Sequence, residues 1–262
     1  MMAPSFTALR RNKLMQMIVT EGSAKVAEVA QMFHVSTETI RKDLLHLERE
    51  GLVHKSHGGA IASSDLVERS LAARESENVT AKGLLAQAAV SLVAEGSVII
   101  LDAGSTTLAI AKLLAVRSGY TIITNSVSIS QVLASSQNKI LLVGGEVRGS
   151  SLALVGLWST RAFEMIKADV AFLGTDGFLS RNGPCTSSVE EAAVKQAMLR
   201  SSKRAIVVCD SSKFDKEAII QFCPWKEVDL VLTDSEVDLQ ELEQLEKLVK
   251  VSQVPIPASS AC

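Results

Sequence analysis

Hydrogen-bond donors are concentrated in one short segment near the amino terminus, VSTETIRKDLLHLEREG, residues 35–51. Thr37 and Thr39 supply hydroxyl groups, and Arg41 and Lys42 supply positive charge, in the first turns of a predicted helix. Groups of these types on a helix that enters the major groove of DNA bond phosphates and base edges. Arg41 suits a bidentate contact to guanine, and Lys42 suits a phosphate or a second base. The segment therefore predicts contact with double-stranded DNA.

A second set of candidate residues lies in the segment LDAGSTT, residues 101–107, where a short apolar run ends before a predicted helix. Its candidate residues are Asp102, Gly104, Ser105, Thr106 and Thr107. Backbone N–H groups, hydroxyls and the positive end of a helix dipole together favour an anion, most naturally a phosphate. The segment lacks the Gly-Lys-Ser/Thr ending of a P-loop and the glycine spacing of a dinucleotide fingerprint. The simpler alternative is a tight turn followed by a helix cap.

Similar polar turns follow the other apolar runs of the chain. They contribute Asn125, Gly144, Gly174, Asp176 and Lys213. Carboxylates accept hydrogen bonds from sugar hydroxyls, a lysine reaches an anion, and glycines leave room for a ligand. Each residue taken alone more often serves only to shape a loop or turn. Their shared position at strand ends nevertheless favours one binding site for a polyol phosphate.

The donors near the amino terminus require a compact set of helices to present them. Apolar spacing predicts helices over residues 7–20 and about 26–33, and then a third over residues 37–50 with Ser36 as its N-cap. Ile40, Leu44 and Leu47 fall on one side of the third helix and form its predicted seam with the first two. Two extended pieces around Gly58-Gly59 complete a winged helix-turn-helix, predicted to span residues 1–61.

The rest of the chain is predicted to be an α/β domain with a parallel sheet, because continuous apolar runs alternate with helical patterns. Six strand-and-turn units are visible, beginning with SVIILDAGSTT and ending with VDLVLTDSE. Residues 62–80 are polar and are predicted to be a linker that runs into a helix. Residues 81–255 form the predicted α/β domain, and residues 256–262 are predicted to be a disordered tail.

Composition narrows the functional classes. The 262 residues are 47% hydrophobic and 21% charged, which suits a globular chain with a sizeable core. Residues 1–61 carry 8 Lys and Arg against 6 Asp and Glu, whereas residues 62–262 carry 19 against 23. No apolar run reaches the length of a membrane span, and the four cysteines show no metal or disulfide spacing. The sequence therefore predicts a cytoplasmic protein with no cofactor, no metal site and no membrane partner.

Several motif elements near the amino terminus agree in one register. They are Val35-Ser36, Thr39-Ile40-Arg41, Asp43-Leu44, Gly51-Leu52 and His57-Gly58-Gly59-Ala60. With these elements, residues 10–60 resemble the DNA-binding domain of the DeoR/GlpR family of bacterial transcriptional regulators. The resemblance implies that Ser36, Lys55 and His57 join the DNA contacts. Lys42 stands where the family more often has a second Arg, so the charge is kept but the planar fork is lost.

The remainder of the chain resembles the sensor domain of the same family. The matching elements are DAGSTT, TNS, GGEVR, LVG, GTDG, SSVEEAAVKQAM and DSSKF. That domain is similar to sugar-phosphate isomerases of the ribose-5-phosphate isomerase type. The resemblance implies a phosphorylated sugar as effector and adds Glu190 to the binding residues.

Three functions from different classes are compatible with the sequence, which favours the first and therefore predicts a regulator rather than an enzyme. The first is a DNA-binding repressor of a carbohydrate-utilisation operon, which a phosphorylated sugar controls and which acts as a homodimer or homotetramer on symmetric operators. The second is a sugar-phosphate isomerase with an appended DNA-binding domain, in which Asp102, Asp176 or Glu190 is the base. The third, RNA binding, is weaker, because aromatic residues make up only 4% of the chain.

Overall fold

The computed structural model describes residues 6–21, 23–49, 53–56, 58–62 and 70–257, and the chain divides into two compact units between Ser76 and Glu77. The division lies inside the predicted linker, residues 62–80, in which Ala62 ends a strand, Leu71–Glu75 form a short helix and Val79 begins another helix. Ser70 caps a short helix there by accepting a hydrogen bond from the Ala73 N–H at 3.3 Å. Each unit has its own hydrophobic core and is described separately.

The amino-terminal unit has the winged helix-turn-helix architecture that the sequence predicts. Its described elements are α1 (Phe6–Glu21), β1 (Ser23–Lys25), α2 (Val26–Met32), α3 (Thr37–Arg49), β2 (Val53–Ser56), β3 (Gly59–Ala62) and α4 (Leu71–Glu75). Ile40, Leu44 and Leu47 are buried in its core, as predicted, together with Leu14 and Ile18 of α1. The seam therefore fixes which side of α3 faces outward.

Strand β1 is an element that the sequence reading missed. It pairs antiparallel with β3, which in turn pairs with β2, so the wing is a three-stranded sheet in the order β1-β3-β2. Its pairing explains the second glycine of Gly58-Gly59, because a Cβ on Gly59 would lie 2.2 Å from the carbonyl oxygen of Ala24. Gly58 supplies the left-handed turn residue, with φ +84°.

A buried carboxylate joins α1 to α3. Asp43 is 1% exposed, and its two oxygens accept hydrogen bonds from Arg10 Nε at 2.6 Å and Arg11 Nε at 2.8 Å. Burial by itself would raise the pKa of Asp43, but the hydrogen bonds from the two guanidinium groups outweigh burial and hold that pKa below its ordinary value. Asp43 therefore remains ionised and locks the orientation of α3 against α1.

The carboxy-terminal unit is an α/β domain. Its described helices and strands are α5 (Val79–Ser91), β4 (Val98–Leu101), α6 (Ser105–Leu114), β5 (Thr121–Thr124), α7 (Val127–Leu133), β6 (Lys139–Leu142), β7 (Glu146–Arg148), β8 (Ala153–Val155), α8 (Leu157–Glu164), β9 (Val170–Leu173), β10 (Cys185–Thr186), α9 (Val189–Arg200), β11 (Ala205–Val208), β12 (Ile220–Gln221), β13 (Leu230–Asp234), α10 (Leu239–Glu246) and β14 (Val251–Val254). Two short 3₁₀ turns cover Ser211–Lys213 and Trp225–Glu227.

Seven strands form a parallel sheet in the order β14-β13-β11-β9-β4-β5-β6. The six predicted strand-and-turn units are β4, β5, β6, β9, β11 and β13, which confirms the predicted parallel sheet. Helices α5, α6 and α7 contribute to one hydrophobic core, and α8, α9 and α10 contribute to the other. The sheet is therefore buried on both faces, which is why its strands read as continuous apolar runs.

The sequence reading missed the edge strand β14 and the β7–β8 hairpin. Strand β14 is half polar, β7 carries two charged residues, and β8 is apolar but only three residues long, so the sequence reading did not recognise them as strands. Ile256, placed in the predicted tail, donates its N–H to Ser235 Oγ at 3.0 Å, and residues 258–262 lie outside the described residues. Among the described residues, no helix has the length and hydropathy needed to cross a bilayer.

Replacing Asp43 by Ala is expected to destabilise the amino-terminal unit by about 1–3 kcal/mol at pH 7, because it leaves two partly buried guanidinium groups without their acceptor. The folded-state pKa lies below the unfolded value, so the stabilisation is complete above about pH 5 and is lost as pH falls through the folded pKa. Hydrogen exchange of peptides from α1 and α3 measures the loss. Glu28→Ala, which removes an exposed partner of Lys25, is the control and should have little effect. Equal exchange in both variants would contradict the role of Asp43.

Candidate functional site

The direction in which the sheet grows reverses between β4 and β9. From β4 the chain proceeds outward through β5 and β6, and from β9 it proceeds the other way through β11, β13 and β14. Asp102 follows β4 and Gly174 follows β9, and the Gly174 N–H donates to Asp102 Oδ2 at 2.9 Å. In open α/β sheets, ligands bind outside the carboxyl ends of the strands at such a reversal. Two predicted site residues therefore meet where the fold favours a ligand.

Lys195 of α9 holds this junction together and was not among the predicted site residues. Its ammonium group donates to the carboxylate of Asp102 and to the Gly174 carbonyl oxygen at 3.0 Å. It also lies 5.4 Å from the centroid of the Phe222 ring. Burial alone would lower the pKa of Lys195, but the carboxylates of Asp102 and Glu191 outweigh burial and raise it. The lysine therefore stays charged, and it joins the ends of the two central strands.

Asp176 and Glu191 are linked through the turn that precedes α9. Asp176 Oδ2 accepts from the Ser187 N–H at 2.9 Å and from the Ser187 hydroxyl at 3.1 Å. The Thr186 hydroxyl lies 3.2 Å from Asp176 Oδ2 and 3.0 Å from Glu191 Oε2. Glu191 was also missed, although it stands four residues before Lys195 on one face of α9 in the segment SSVEEAAVKQAM.

The β7–β8 hairpin closes over the carboxyl end of β5 and reaches α9. Leu154 donates its N–H to the Asn125 carbonyl oxygen at 2.7 Å, and the Asn125 amide returns a bond to the Leu154 carbonyl at 3.1 Å. At the hairpin turn, the Ser151 hydroxyl donates to Glu191 Oε1 at 2.6 Å, and Arg148 lies 3.4 Å from the same oxygen. The hairpin thus adds polar side chains to the edge where the strands end.

The start of α6 supplies the predicted anion-binding turn. Gly104 is its N-cap, and the first N–H groups of a helix have no acceptor within the helix. Ser105 is half-buried, whereas Thr106 and Thr107 are buried, and the Thr107 hydroxyl donates to the Gly104 carbonyl oxygen at 2.9 Å. Thr107 therefore fixes the turn through its hydroxyl.

Asn125 is likewise held by protein atoms. Its side-chain oxygen accepts from the Ala103 N–H at 3.2 Å, in addition to the bond from its amide to the hairpin. The side chain is 2% exposed. Asn125 therefore ties the turn after β4 to the hairpin, and a direct contact between Asn125 and a ligand stays a prediction.

Asp210, Ser212 and Lys213 form a third turn, after β11. Asp210 Oδ1 accepts from Asn78 Nδ2 at 2.9 Å, from the Ser212 N–H at 3.2 Å, and from the Ser212 hydroxyl. Burial alone would raise the pKa of Asp210, but the hydrogen bond from Ser212 and the charge of Lys213 outweigh burial and lower it. Strand β11 is the neighbour of β9, so half-buried Lys213 lies on the same edge as Asp176.

Two predicted residues lie toward the outside of the site. Gly144 follows the edge strand β6, two positions from β4 in the sheet, and its carbonyl oxygen accepts from Ser159 Oγ at 2.7 Å. Glu190 is exposed, and a hydrogen bond from the Ser188 hydroxyl at 2.7 Å lowers its pKa. The structure therefore groups the other predicted sensor residues more closely than these two.

In the amino-terminal unit, the predicted N-cap of α3 is confirmed. Ser36 Oγ accepts from the Thr39 N–H at 3.1 Å and lies 2.8 Å from the Thr39 hydroxyl. Thr37 and Lys42 are exposed, and Arg41 is 62% exposed with its guanidinium 3.8 Å from Glu38. The start of α3 therefore presents one hydroxyl and two cations to solvent.

The wing contributes one described candidate residue. Lys55 on β2 is exposed, and its ammonium lies 3.3 Å from Glu48 of α3. His57 lies outside the described residues. The roles of all these residues in DNA contact stay predictions.

Family models match both units of the chain. Residues 77–235 match the DeoR C terminal sensor domain, and residues 10–65 match the DeoR-like helix-turn-helix domain. The first match alone covers more than half of the chain.

Curated relatives match over almost the whole length. The chain is 31% identical to a putative aga operon transcriptional repressor of Escherichia coli O157:H7, over 92% of this chain and 91% of the relative. It is 31% identical to the HTH-type transcriptional regulator GlpR of Haloferax volcanii, over 91% of this chain and 94% of the relative. It is also 31% identical to a lactose phosphotransferase system repressor of Staphylococcus epidermidis, over 92% and 97%.

The sensor unit also has distant neighbours among solved structures. Ribose 5-phosphate isomerase A from Methanocaldococcus jannaschii superposes with a TM-score of 0.39 and 19% identity, over 52% of this chain and 54% of that one. A superposition this partial says nothing about catalysis.

Replacing Lys195 by Met is expected to destabilise the carboxy-terminal unit by about 3–5 kcal/mol, because the buried Asp102 carboxylate loses its cation. Denaturant unfolding followed by tryptophan fluorescence measures this, since Trp158 and Trp225 both lie in this unit.

The matched control for this variant is Lys203→Met. The Lys203 ammonium bonds Asp169 at 2.8 Å, but the two side chains are 75% and 41% exposed. Its loss should therefore cost less than about 1 kcal/mol. Equal losses in the two variants would show that the buried pair does not hold the junction.

Proposed function

The chain belongs to the DeoR family of transcriptional regulators, and from that premise we propose that it is a repressor of a carbohydrate-utilisation operon. Its amino-terminal unit binds operator DNA, and a phosphorylated sugar in its carboxy-terminal unit controls the affinity for that DNA. The relatives' names support the class of operon, since they include an aga operon repressor and a lactose phosphotransferase system repressor.

The outward face of α3 is the observation that carries the DNA-binding proposal. Thr37, Arg41 and Lys42 are exposed there, while Ile40 and Asp43 on the opposite side are buried. A helix anchored on one side and cationic on the other can enter a major groove without rearranging its own unit. Arg41 then reads a guanine edge, and Lys42 bonds a phosphate.

The sugar phosphate is proposed to bind at the carboxyl ends of β4, β9 and β11. The first turn of α6, including Ser105, and the ammonium of Lys213 offer positive potential to a phosphate group. Asp176 offers carboxylate oxygens to hydroxyl groups. The ligand controls DNA affinity only if it binds the DNA-competent and DNA-incompetent states unequally.

Arg41→Ala is expected to weaken binding to the operator by about 10–100-fold, the size of one lost bidentate base contact. Lys42→Ala should weaken specific and non-specific DNA more evenly and should reduce the dependence of affinity on salt. Fluorescence anisotropy at several fixed salt concentrations, with DNA from upstream of the chain's own gene and its neighbours and with unrelated DNA, measures both.

Arg117→Ala is the control for these DNA measurements, because Arg117 is an exposed arginine of the other unit. It should leave both affinities unchanged. Unchanged binding by Arg41→Ala and Lys42→Ala would overturn the assignment of α3 as the recognition helix.

A panel of sugar phosphates should contain at least one compound that raises the melting temperature of the protein and changes its affinity for the operator. The same sugar without phosphate should do neither, because the proposed anion site would be empty. Lys213→Ala is expected to reduce the affinity for that compound by at least about 10-fold, as the loss of a charge-assisted bond predicts.

Lys216→Ala provides the control for the ligand measurements, because Lys216 is exposed three residues farther along the chain. It should keep the response to the sugar phosphate. If no compound shifts the melting temperature, the sensor proposal fails and the DNA-binding proposal stands. If the protein instead converts a sugar phosphate to an isomer, the enzyme hypothesis is favoured.

A further inference from the structure

Helix α8 presents large apolar side chains to solvent. Leu157 is 69% exposed, Trp158 is 79% exposed, and Met165, the C-cap residue that follows the helix, is 83% exposed. Leu157, Arg161 and Met165 are spaced four residues apart and fall within about 80° of one another around the helix axis. Trp158 projects about 20° from Met165 in the same view. These four residues are called the α8 face below.

The side of α8 opposite the α8 face packs firmly into the core, so α8 already has a buried side and the α8 face is its solvent-exposed side. Phe163 is fully buried in the hydrophobic core on that side of the sheet. Ser159 is also fully buried, and its hydroxyl donates to the Gly144 carbonyl oxygen at 2.7 Å. Gly145 packs as closely, since a Cβ there would lie 2.2 Å from Ser159 Oγ. The helix cannot rotate to bury Trp158 without breaking these contacts.

The edge of the sheet next to α8 is also unusually apolar. The edge strand β6 is followed by Val143 and then by Gly144, whose carbonyl oxygen accepts the hydrogen bond from Ser159 of α8. Leu141 of β6, on the same face of the sheet as Val143, is 42% exposed, and Leu142, on the opposite face, is 46% exposed. Large apolar side chains exposed together on one helix, as on the α8 face, form the kind of patch that marks a protein–protein contact.

We propose that the α8 face is the surface through which two copies of this chain associate. A two-fold axis near the middle of α8 would set the helix antiparallel to its copy, and Trp158 of each copy would then pack against Met165 of the other. Sulfur–aromatic packing of this kind is favourable. The same patch meets itself in such a contact, as a closed dimer requires.

Charge at the centre of the α8 face supports a second copy as the occupant. Arg161 and Glu164 form an exposed ion pair at 2.8 Å, with 71% and 49% of their side chains accessible. Antiparallel packing brings Arg161 of one copy within reach of Glu164 of the other, twice by symmetry. The pair is therefore self-complementary. A membrane surface or a partner of one charge sign would instead place a like charge against either Arg161 or Glu164.

The size of the patch also agrees with a dimer. Burying a Trp side chain removes about 150–250 Å² from water, and a standard interface covers about 800 Å² on each partner. Trp158 alone thus provides about a fifth to a third of one partner's share. A tryptophan beside smaller apolar groups is a common component of an interface hot spot.

The first test measures the mass of the full-length chain by sedimentation equilibrium. The wild type is expected to be a dimer or a larger even assembly. Trp158→Glu combined with Met165→Glu is expected to weaken the association across this face by at least about 100-fold, because it buries like charges against each other. Val116→Glu, at a valine that is 85% exposed in the loop after α6, adds a charge elsewhere and should leave the mass unchanged.

A second test does not depend on disturbing the apolar residues. Arg161→Glu alone and Glu164→Arg alone should each weaken self-association, since each places like charges opposite each other. A mixture of the two variants should restore the dimer, because every cross-contact then pairs opposite charges. A role of the pair inside one chain would not give this recovery.

The proposal is overturned if the wild-type chain is a monomer, if the double glutamate variant keeps the wild-type mass, or if the mixture fails to recover. Folding of each variant is checked by circular dichroism. None of these measurements uses DNA or a sugar phosphate, so their outcome is separate from that of the repressor and sensor proposals.

Discussion

A buried lysine at the carboxyl ends of the two central strands is the interaction on which the sensor unit depends. Strands β4 and β9 are paired neighbours, but they belong to halves of the sheet that grow in opposite directions, so the chain leaves their carboxyl ends in separate turns. Lys195 bonds Asp102 on one side and the Gly174 carbonyl on the other. A charge pair this deep requires good geometry, because its desolvation cost is large. The junction is therefore rigid.

Rigidity at the junction orders the polar turns around it. The bond between Asp102 and Gly174 sets the start of the loop that carries Asp176, and Asp176 in turn holds the segment before α9. That helix returns Lys195 and Glu191 to the same edge, and Glu191 holds the hairpin through Ser151. The turns thus support one another, which is the condition for a preorganised ligand site.

The amino-terminal unit is also held together by a buried aspartate that is paired with basic side chains. A buried aspartate, Asp43, fixes α3 through Arg10 and Arg11, and the opposite side of α3 is left to Arg41 and Lys42. A winged helix-turn-helix that reads a symmetric operator must be present twice at a fixed spacing. Association through the α8 face would supply the second copy from the sensor unit. A ligand that alters the sensor unit could then alter the spacing of the two recognition helices.

The sequence by itself determined the class and order of the elements. Apolar periodicity predicted α1, α2 and α3, Ser36 identified the start of α3, and six apolar runs predicted the strands of a parallel sheet. These features are local, since each depends on residues within one or two turns or one strand. The sequence also placed Asp102, Gly174 and Asp176 at strand ends, and a shared edge followed from the parallel topology alone.

Only the tertiary structure decided which of these residues touch. Lys195 lies in the middle of α9 and Glu191 in its first turn, far along the chain from Asp102 and Ser151, so their local spacing does not show that they meet these partners. Strand β1 forms only because β3 offers it an edge, and Gly59 is required only because Ala24 approaches it. Trp158 looks in the sequence like any core residue. Its exposure follows from Ser159 and Phe163 taking the inward side of α8, a choice that depends on contacts with distant strands.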